Sequence, residues 1–253
     1  MTNSNSFTSH FAELRSRLLK SIIFILVIFI ISYIFAEQIY NFLVEPYANA
    51  VKDDDNSRRL IFTALHETFI AYLKVAYFAA IFFGSPVLLI QIYKFIAPGL
   101  YKNEKKALLP YLIFTPILFL FGGLLVYYLI MPLAIKFFLS FESIGTNTSL
   151  PIQLEAKVNE YLSLIMRLIF AFGISFQLPI LLNLLARIGV INSNYLKKTR
   201  RYVIVIIFTA AAILTPPDPI TQIGLAIPLL LLYELSILTV KFTEKKDKVV
   251  EDA

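Results

Sequence analysis

Residues 95–106 read FIAPGLYKNEKK and form a short polar bridge between two long apolar runs. Pro98 removes a backbone donor and Gly99 accepts the positive φ of a helix stop, so this pair ends the preceding helix. The lysines that follow, with Glu104 among them, must lie in water at the rim of a membrane. Composition alone leaves two interpretations open. The bridge is an ordinary basic loop in which Glu104 softens lysine repulsion, or a receptor loop in which Glu104 is the binding carboxylate.

The composition of the whole chain requires a lipid environment. Of its 253 residues, 58% are hydrophobic, and the mean hydropathy is +0.74. A soluble core cannot cover that much apolar surface, so the sequence predicts an all-α integral membrane protein. The absence of cysteine and the wide separation of His10 and His66 argue against thiolate chemistry and a metal cluster. No glycine-rich loop precedes a Lys-Ser or Lys-Thr pair, and no cofactor is expected.

Residues 9–20 are predicted to form an amphipathic helix at the membrane interface. Its apolar stripe recurs at helical spacing and consists of Phe11, Leu14 and Leu18. Glu13 and Arg17 lie one turn apart on the opposite side and can pair. Two simpler interpretations stay open: a basic entry helix that only fixes orientation, and a cleaved signal peptide. The second is disfavoured because no small-x-small cleavage site follows.

Six membrane spans are predicted within a single membrane domain covering residues 1–253. The spans are residues 18–35, 68–95, 107–130, 161–188, 202–214 and 220–240, and the charged tail 241–253 is predicted to be disordered. The fifth span provides about 20 Å of helix against a hydrocarbon core of about 30 Å. We therefore expect short fifth and sixth spans that thin the bilayer or lean on a partner.

Lysine and arginine are divided unevenly between the two sides of the predicted membrane domain. The side that holds both termini carries sixteen of them, and the opposite side carries five. The positive-inside rule then places both termini in the cytoplasm. The net charge of +6 is therefore a topology signal and gives no support to nucleic-acid binding.

Polar residues interrupt the predicted spans at Lys74, Arg167 and Gln177. Lys74 lies near the start of its span and is expected to snorkel toward the interface. Gln177 lies near the middle of the bilayer, where a polar side chain is a functional-site hypothesis by default. A glutamine that is simply hydrogen-bonded between helices is an equally good interpretation.

Five motifs, in order, resemble those of the twin-arginine translocase subunits of the TatC family. The first four are HFxELRxRL at 10–18, ExF at 67–69 followed by Lys74, FxxPGLYxxEK at 95–105, and FGxxFQxP at 172–179. The fifth begins with LTPPD at 214–218 and continues with Gln222, AIP at 226–228 and LYE at 232–234. The resemblance covers about residues 10–240. The chain departs from the family pattern at Leu65, where a proline is common, at Gln177, where relatives often have glutamate, and in lacking tryptophan. A glutamine cannot carry a proton.

The resemblance implies the receptor core of a machine that exports folded proteins across the bacterial cytoplasmic membrane, driven by the proton-motive force. Its cargo carries a signal peptide with two consecutive arginines, and no enzyme activity is implied. A guanidinium pairs with a carboxylate in a planar fork that lysine cannot reproduce, so Glu13 and Glu104 are expected to receive the arginines. The residues expected to shape the rest of the site are His10, Phe11, Leu14, Arg15, Arg17 and Phe95.

The resemblance also implies partners in a multimeric assembly, namely TatA-type and TatB-type single-span proteins. The positions expected to take part in their docking are Gln177, Asp218 and Gln222. The positions expected to be structural are Pro46, Pro98, Gly99, Pro216 and Pro217. The helices are expected to form a concave face along which the apolar part of the signal inserts.

The residues inside the predicted spans disfavour two other classes of membrane protein. A small-molecule secondary transporter would require an internal repeat and ionisable residues that converge at the midplane. No repeat is visible, and Arg167 with Gln177 makes a thin site. An intramembrane enzyme would require a nucleophile with a base, or a set of metal ligands, inside the spans, and neither histidine lies there.

Overall fold

The computed structural model describes residues 3–52, 59–96, 105–143, 150, 152–187, 189–215 and 218–251. Side chains are described in these ranges except at 3–11, 13–14, 93–96, 105–109 and 245–251. In this part of the chain there is no β-strand, only two isolated bridges that join Ile61 to Lys157 and Ser143 to Ile152. The predicted all-α class is confirmed.

The helices follow one another with few interruptions. In chain order they are α1 (Asn3–Ile34), α2 (Ala36–Ala50), α3 (Glu67–Ile96), α4 (Lys105–Leu125), a π-helical turn (Val126–Ile130), α5 (Met131–Leu139), α6 (Val158–Ser175), α7 (Leu178–Arg187), α8 (Ser193–Leu214) and α9 (Pro219–Glu251). The break between α6 and α7 has a local cause. Pro179 has no N–H to offer the carbonyl four residues earlier, so the regular helix is interrupted just before it.

Five helical segments among the described residues are long and apolar enough to cross a membrane. They are Arg15–Ile34, Glu67–Ile92, Pro110–Leu139, Val158–Arg187 and Pro219–Glu244. The predicted fifth span, 202–214, lies in the second half of α8. That helix is not among the five, because its first half carries the basic cluster Lys197, Lys198, Arg200 and Arg201.

Two sequence predictions about the C-terminal helix are wrong. The sixth span is not short, since the apolar stretch Pro219–Glu244 has 26 residues. The tail from residue 241 is not disordered as far as Glu251, because α9 continues to that residue. The charged residues that suggested an end are lysines and glutamates, which are good helix formers and stop a span without stopping a helix.

Two further boundaries differ from those predicted. α1 is continuous, so the interfacial segment 9–20 and the first span belong to one helix. The third membrane segment runs on through the π-helical turn and α5 to Leu139, into a stretch that the sequence suggested was loop. Pro132 lies at the start of α5, where its missing N–H is tolerated.

The chain divides into two compact units, and the first consists of Met1–Phe42 and Ala64–Ile117. In this unit α1 packs against α3, where a Cβ added to Gly84 would lie 2.5 Å from Cγ1 of Ile25. Several small residues on α3 are buried, including Ala71, Ala76, Ala79 and Ala80. Small side chains let the two helix axes approach closely, as is common between helices in membranes.

The second unit consists of Leu43–Thr63 and Leu118–Ala253. Its centre is the crossing of α4 and α6, where each helix places a glycine against the other. A Cβ on Gly122 would lie 2.8 Å from the carbonyl oxygen of Phe172, and a Cβ on Gly173 would lie 2.8 Å from the ring of Phe119. Both phenylalanines are fully buried. Because each helix has a glycine at this contact, the backbones of α4 and α6 can approach each other closely.

Candidate functional site

One end of the α1 and α3 pair joins the first sequence motif to the last turns of α3. Nη1 of Arg17 donates to Oε1 of Gln91 at 3.2 Å, and further along the pair Ile25 meets Gly84. Residue numbers rise on α1 as they fall on α3, so the helices are antiparallel. The motif at 10–18 therefore lies near the end of α3, beyond which residues 97–104 follow.

The contact between Arg17 and Gln91 holds this end in place. Arg17 is half-buried, and its backbone carbonyl also accepts from the hydroxyl of the buried Ser21 at 3.1 Å. Gln91 was missed at the sequence level. The available signal was an amide standing alone in the apolar run LLIQIYKF. Arg15, two residues before Arg17, is exposed.

The remaining residues of the predicted signal-peptide site are placed only in part. His10, Phe11, Glu13 and Leu14 lie on α1, and Phe95 lies in the last turn of α3. Their side chains are outside the described part of the chain. The residues that lie entirely outside it are Glu104, Pro98, Gly99, Pro216 and Pro217.

The start of α3 forms with leucine at position 65, where the family resemblance leads us to expect proline. The backbone N–H of Ala64 donates to Oε2 of Glu67 at 3.4 Å, and the N–H of Glu67 donates to the carbonyl of Ala64 at 3.1 Å. This reciprocal arrangement resembles a capping box. Leu65 itself is fully exposed.

Gln177 lies at the break between α6 and α7 and is 6% exposed. Its backbone N–H donates to the carbonyl of Ile174, and its own carbonyl accepts from Leu181, both at 3.0 Å. The broken helix thus keeps its hydrogen bonds on both sides of the polar side chain. Burial of an amide at this depth fits a role in packing between helices as well as a role in binding.

Asp218 has a local structural role, because it caps the first turn of α9. It is 4% exposed. Its Oδ1 accepts from the N–H of Thr221 at 2.7 Å, and its Oδ2 accepts from the hydroxyl of the same residue. Gln222, the next predicted docking residue, is partly buried, and its N–H donates to the carbonyl of Asp218 at 3.3 Å.

A guanidinium and carboxylate fork joins α8 to α9. Nε of Arg200 lies 2.7 Å from Oε1 of Glu234, and Nη2 of Arg200 donates to Oε2 at 2.8 Å. One residue earlier on α9, the buried hydroxyl of Tyr233 donates to the carbonyl of Leu196 at 2.7 Å. Leu196 and Arg200 lie four residues apart on α8, about one helical turn, so both contacts come from the same face of that helix.

Two more contacts fasten the same end of this helical group. The N–H and hydroxyl of Ser193 donate to Oε1 and Oε2 of Glu244 at 2.7 and 2.5 Å. Nδ2 of Asn183, on α7, donates to the hydroxyl of Thr239 at 2.7 Å. α7 and α8 therefore hold α9 near the end of its apolar stretch, on either side of Lys241, where the sequence analysis ended the span.

Pro46 is buried inside α2, in the part of that helix that belongs to the second unit. Its neighbour Glu45 accepts a hydrogen bond of 3.0 Å from the hydroxyl of Tyr127. Glu45 and Tyr127 line an open cavity of about 290 Å³, together with Lys136. The hydroxyl of Tyr161 donates to the carbonyl of Leu43 at 3.0 Å. These bonds fix the second half of α2, and the structural role of Pro46 stays a prediction.

These features define a multi-pass helical membrane protein with polar contacts at the ends of its helices. The family model described as "Sec-independent protein translocase protein (TatC)" matches residues 9–228. The chain belongs to the TatC family, and TatC is a component of the twin-arginine translocation system. The family resemblance drawn from the five sequence motifs is confirmed.

Similar proteins support the same assignment. The chain is 48% identical to a Sec-independent protein translocase protein TatC of Magnetococcus marinus, over 94% of this chain and 84% of that one. It is 46% identical to the TatC protein of Rickettsia prowazekii, over 94% of each chain. A crystal structure of the twin-arginine translocase receptor TatC in DDM superposes with a TM-score of 0.77 at 38% identity, covering 91% of this chain and 99% of that one.

Proposed function

We propose that this chain is the receptor and core subunit of a twin-arginine translocation system in a bacterial cytoplasmic membrane. In this proposal the chain crosses the membrane six times, α8 being the shortest crossing, and both termini lie in the cytoplasm. It binds twin-arginine signal peptides on that side. Together with TatA-type and TatB-type partners it moves folded proteins across the membrane, driven by the proton-motive force.

The contact between Arg17 and Gln91 is the observation that carries the proposal. It supports a shared location for the N-terminal motif and the chain that leaves α3 toward Glu104. Glu13 lies one helical turn before Arg17 on α1. In the proposed site, a signal with two adjacent arginines meets Glu13 and Glu104 on neighbouring segments.

The chemistry of the cargo explains why carboxylates are the proposed contacts. A guanidinium binds a carboxylate through two parallel N–H···O bonds, which a lysine ammonium cannot form. A hydrogen bond to a charged group contributes about 1.5–3 kcal/mol. Loss of one carboxylate is therefore expected to weaken signal binding by about tenfold to a hundredfold.

The test is export of a folded reporter with a twin-arginine signal, in cells whose own copy of this protein is deleted. We expect Glu13→Ala and Glu104→Ala each to abolish or strongly reduce export, and a twin-lysine signal to be rejected by the unaltered protein. Glu37→Ala is the matched control, because Glu37 is an exposed carboxylate on α2. It is expected to export normally.

The amount of each variant in the membrane must be measured beside its export. Normal export by Glu13→Ala and Glu104→Ala at normal membrane levels would place the binding site elsewhere. Passage of the twin-lysine cargo as well would contradict the proposed function itself. Gln91→Leu provides an independent check, since it removes the acceptor for Arg17 without touching either proposed carboxylate and is expected to weaken export in part.

A further inference from the structure

The exposed side chains of α6 and α7 recur at a fixed interval. Within Val158–Arg187 the exposed residues are Glu160, Arg167, Ile174 and Leu181, each seven residues after the last. Seven residues are close to two helical turns, so Glu160, Arg167 and Ile174 share one line along α6, and Leu181 follows at the same interval on α7, beyond the break. We call this line the α6 strip.

The α6 strip is narrow and long. The flanking positions on α6 and α7 are buried or half-buried, so the strip is about one side chain wide. Its three members on α6 cover about 21 Å of helix, and with Leu181 on α7 the strip reaches across most of a hydrocarbon core of about 30 Å. A line of this length can receive a second helix that packs alongside at a small angle.

Arg167 gives the α6 strip a specific chemical requirement. It lies about 10 Å along the helix from Glu160, toward the interior of the apolar segment. Among the described residues no carboxylate lies within 4 Å of it, whereas Arg200 has Glu234 and Lys157 has Glu160 at 3.9 Å. A charged side chain inside a membrane segment normally pairs with another group or faces water.

We propose that the α6 strip is the docking line for one membrane-spanning helix of another chain, which carries a carboxylate opposite Arg167. The carboxylate neutralises the guanidinium, and apolar side chains of that helix cover Ile174 and Leu181. The N-terminal region of a twin-arginine signal does not fit this position, because its cations would be repelled by Arg167.

A phospholipid phosphate is the competing anion, and the geometry favours a helix. One lipid occupies one leaflet, which is about half of the hydrocarbon thickness, whereas the strip reaches across most of that thickness. A phosphate would also have to descend from the headgroup layer near Glu160 to reach Arg167. A spanning helix meets both conditions without deforming the bilayer.

The experiment uses the full-length chain, which contains no cysteine, in phosphatidylcholine vesicles. Ile174→Cys introduces a single thiol on the α6 strip. The probe is a synthetic membrane-spanning helix of leucine and alanine that carries one aspartate in its outer third and one cysteine seven residues further inward. Copper phenanthroline oxidises the two thiols to a disulfide, and the rate of crosslinking measures docking.

We expect the aspartate probe to crosslink about threefold to tenfold faster than a matched asparagine probe. Arg167→Gln should remove this preference, and Lys136→Gln should retain it, because Lys136 is an exposed cation only three residues from the end of its membrane segment. Leu231→Cys on α9 is the control for collision, since its exposure of 61% matches the 62% of Ile174. It should not distinguish the two probes.

Equal crosslinking of the aspartate and asparagine probes at Ile174→Cys would overturn the inference. Loss of the preference on adding phosphatidylglycerol, whose phosphate is not balanced by a choline cation, would assign Arg167 to an anionic lipid headgroup and would also overturn it. The inference rests on the proposed function only for the identity of the natural partner. Because the assay involves no export, its failure leaves the export test unaffected, and a negative export test leaves this assay unaffected.

Discussion

Replacement of Gly122 by alanine tests the packing at the centre of the second unit. The added Cβ would lie 2.8 Å from the carbonyl oxygen of Phe172, 2.9 Å from its carbonyl carbon and 3.0 Å from the backbone nitrogen of Gly173. All three neighbours are backbone atoms of α6, so none of them can rotate away. α4 and α6 must therefore separate by several tenths of an ångström for the variant to fold.

The expected magnitude is the difference between two effects. Overpacking of a well-packed contact costs about 1–3 kcal/mol. Replacing glycine by alanine inside a helix returns up to about 1 kcal/mol. The net destabilisation is therefore up to about 2 kcal/mol, which corresponds to a fall of up to about 8 °C in the unfolding temperature of a chain of this size.

Gly224→Ala is the matched control, because it makes the same chemical change against a different neighbour. Its added Cβ would lie 2.9 Å from Cδ1 of Ile130, the far end of a flexible side chain. A change of rotamer can relieve that contact, so the variant keeps the gain in helix propensity and is expected to be as stable as the unaltered protein, or more stable by up to about 1 kcal/mol. The unfolding temperatures of the two variants are measured on purified protein in detergent, by the loss of the monodisperse species as the sample is heated. If Gly122→Ala melts at the same temperature as Gly224→Ala, the backbone contact does not limit the approach of α4 and α6.

Two further predictions concern the ends of α8 and α9. Arg200→Glu and Glu234→Arg should each lower the unfolding temperature, and the double variant should recover most of the loss. The effect is expected to be small, about 0.5–1 kcal/mol, because both side chains are nearly half exposed. A double variant less stable than both single variants would contradict the fork between α8 and α9. Asp218→Ala should cost about 1–2 kcal/mol through loss of the cap, and Asp218→Asn should recover most of it, since asparagine also caps helices. Thermal unfolding checks both. If Asp218→Asn is as unstable as Asp218→Ala, the charge of Asp218 matters more than its hydrogen bonds.

The sequence was sufficient for the class and the family because hydropathy and local motifs carry both. Long apolar runs identify spans whatever their neighbours are, and motifs such as 172–179 can be recognised without coordinates. Helix ends were less predictable. The sequence analysis ended the last helix where charge begins at Lys241, but contacts such as that between Ser193 and Glu244 continue it. Those contacts join residues that are far apart in the chain, so no local sequence pattern predicts them.

The residues of the candidate site also fall into two groups: those that a local motif identifies and those that only the packing of distant segments reveals. Arg17 was identified from its motif, whereas its acceptor Gln91 is 74 positions away and could be found only from the packing of α1 against α3. Asp218 was assigned to partner docking from its place in a motif. The structure gives it a cap at the start of α9, a role that any aspartate before a helix can fill. A polar residue in a family motif can thus be explained by local folding before any binding role is required.

The arginines within the helices show where the chain depends on something outside itself. Arg17 has an amide partner in Gln91, and Arg200 has a carboxylate partner in Glu234. Each pairing ties one helix to another within a unit, so the charge contributes to the fold. Arg167 is exposed on the α6 strip, and no described carboxylate is close enough to pair with it. The energy of placing a cation at this depth is not recovered within the described chain. In our proposal the anion that recovers it comes from a neighbour in the membrane, and we expect to find it on a spanning helix of a partner protein.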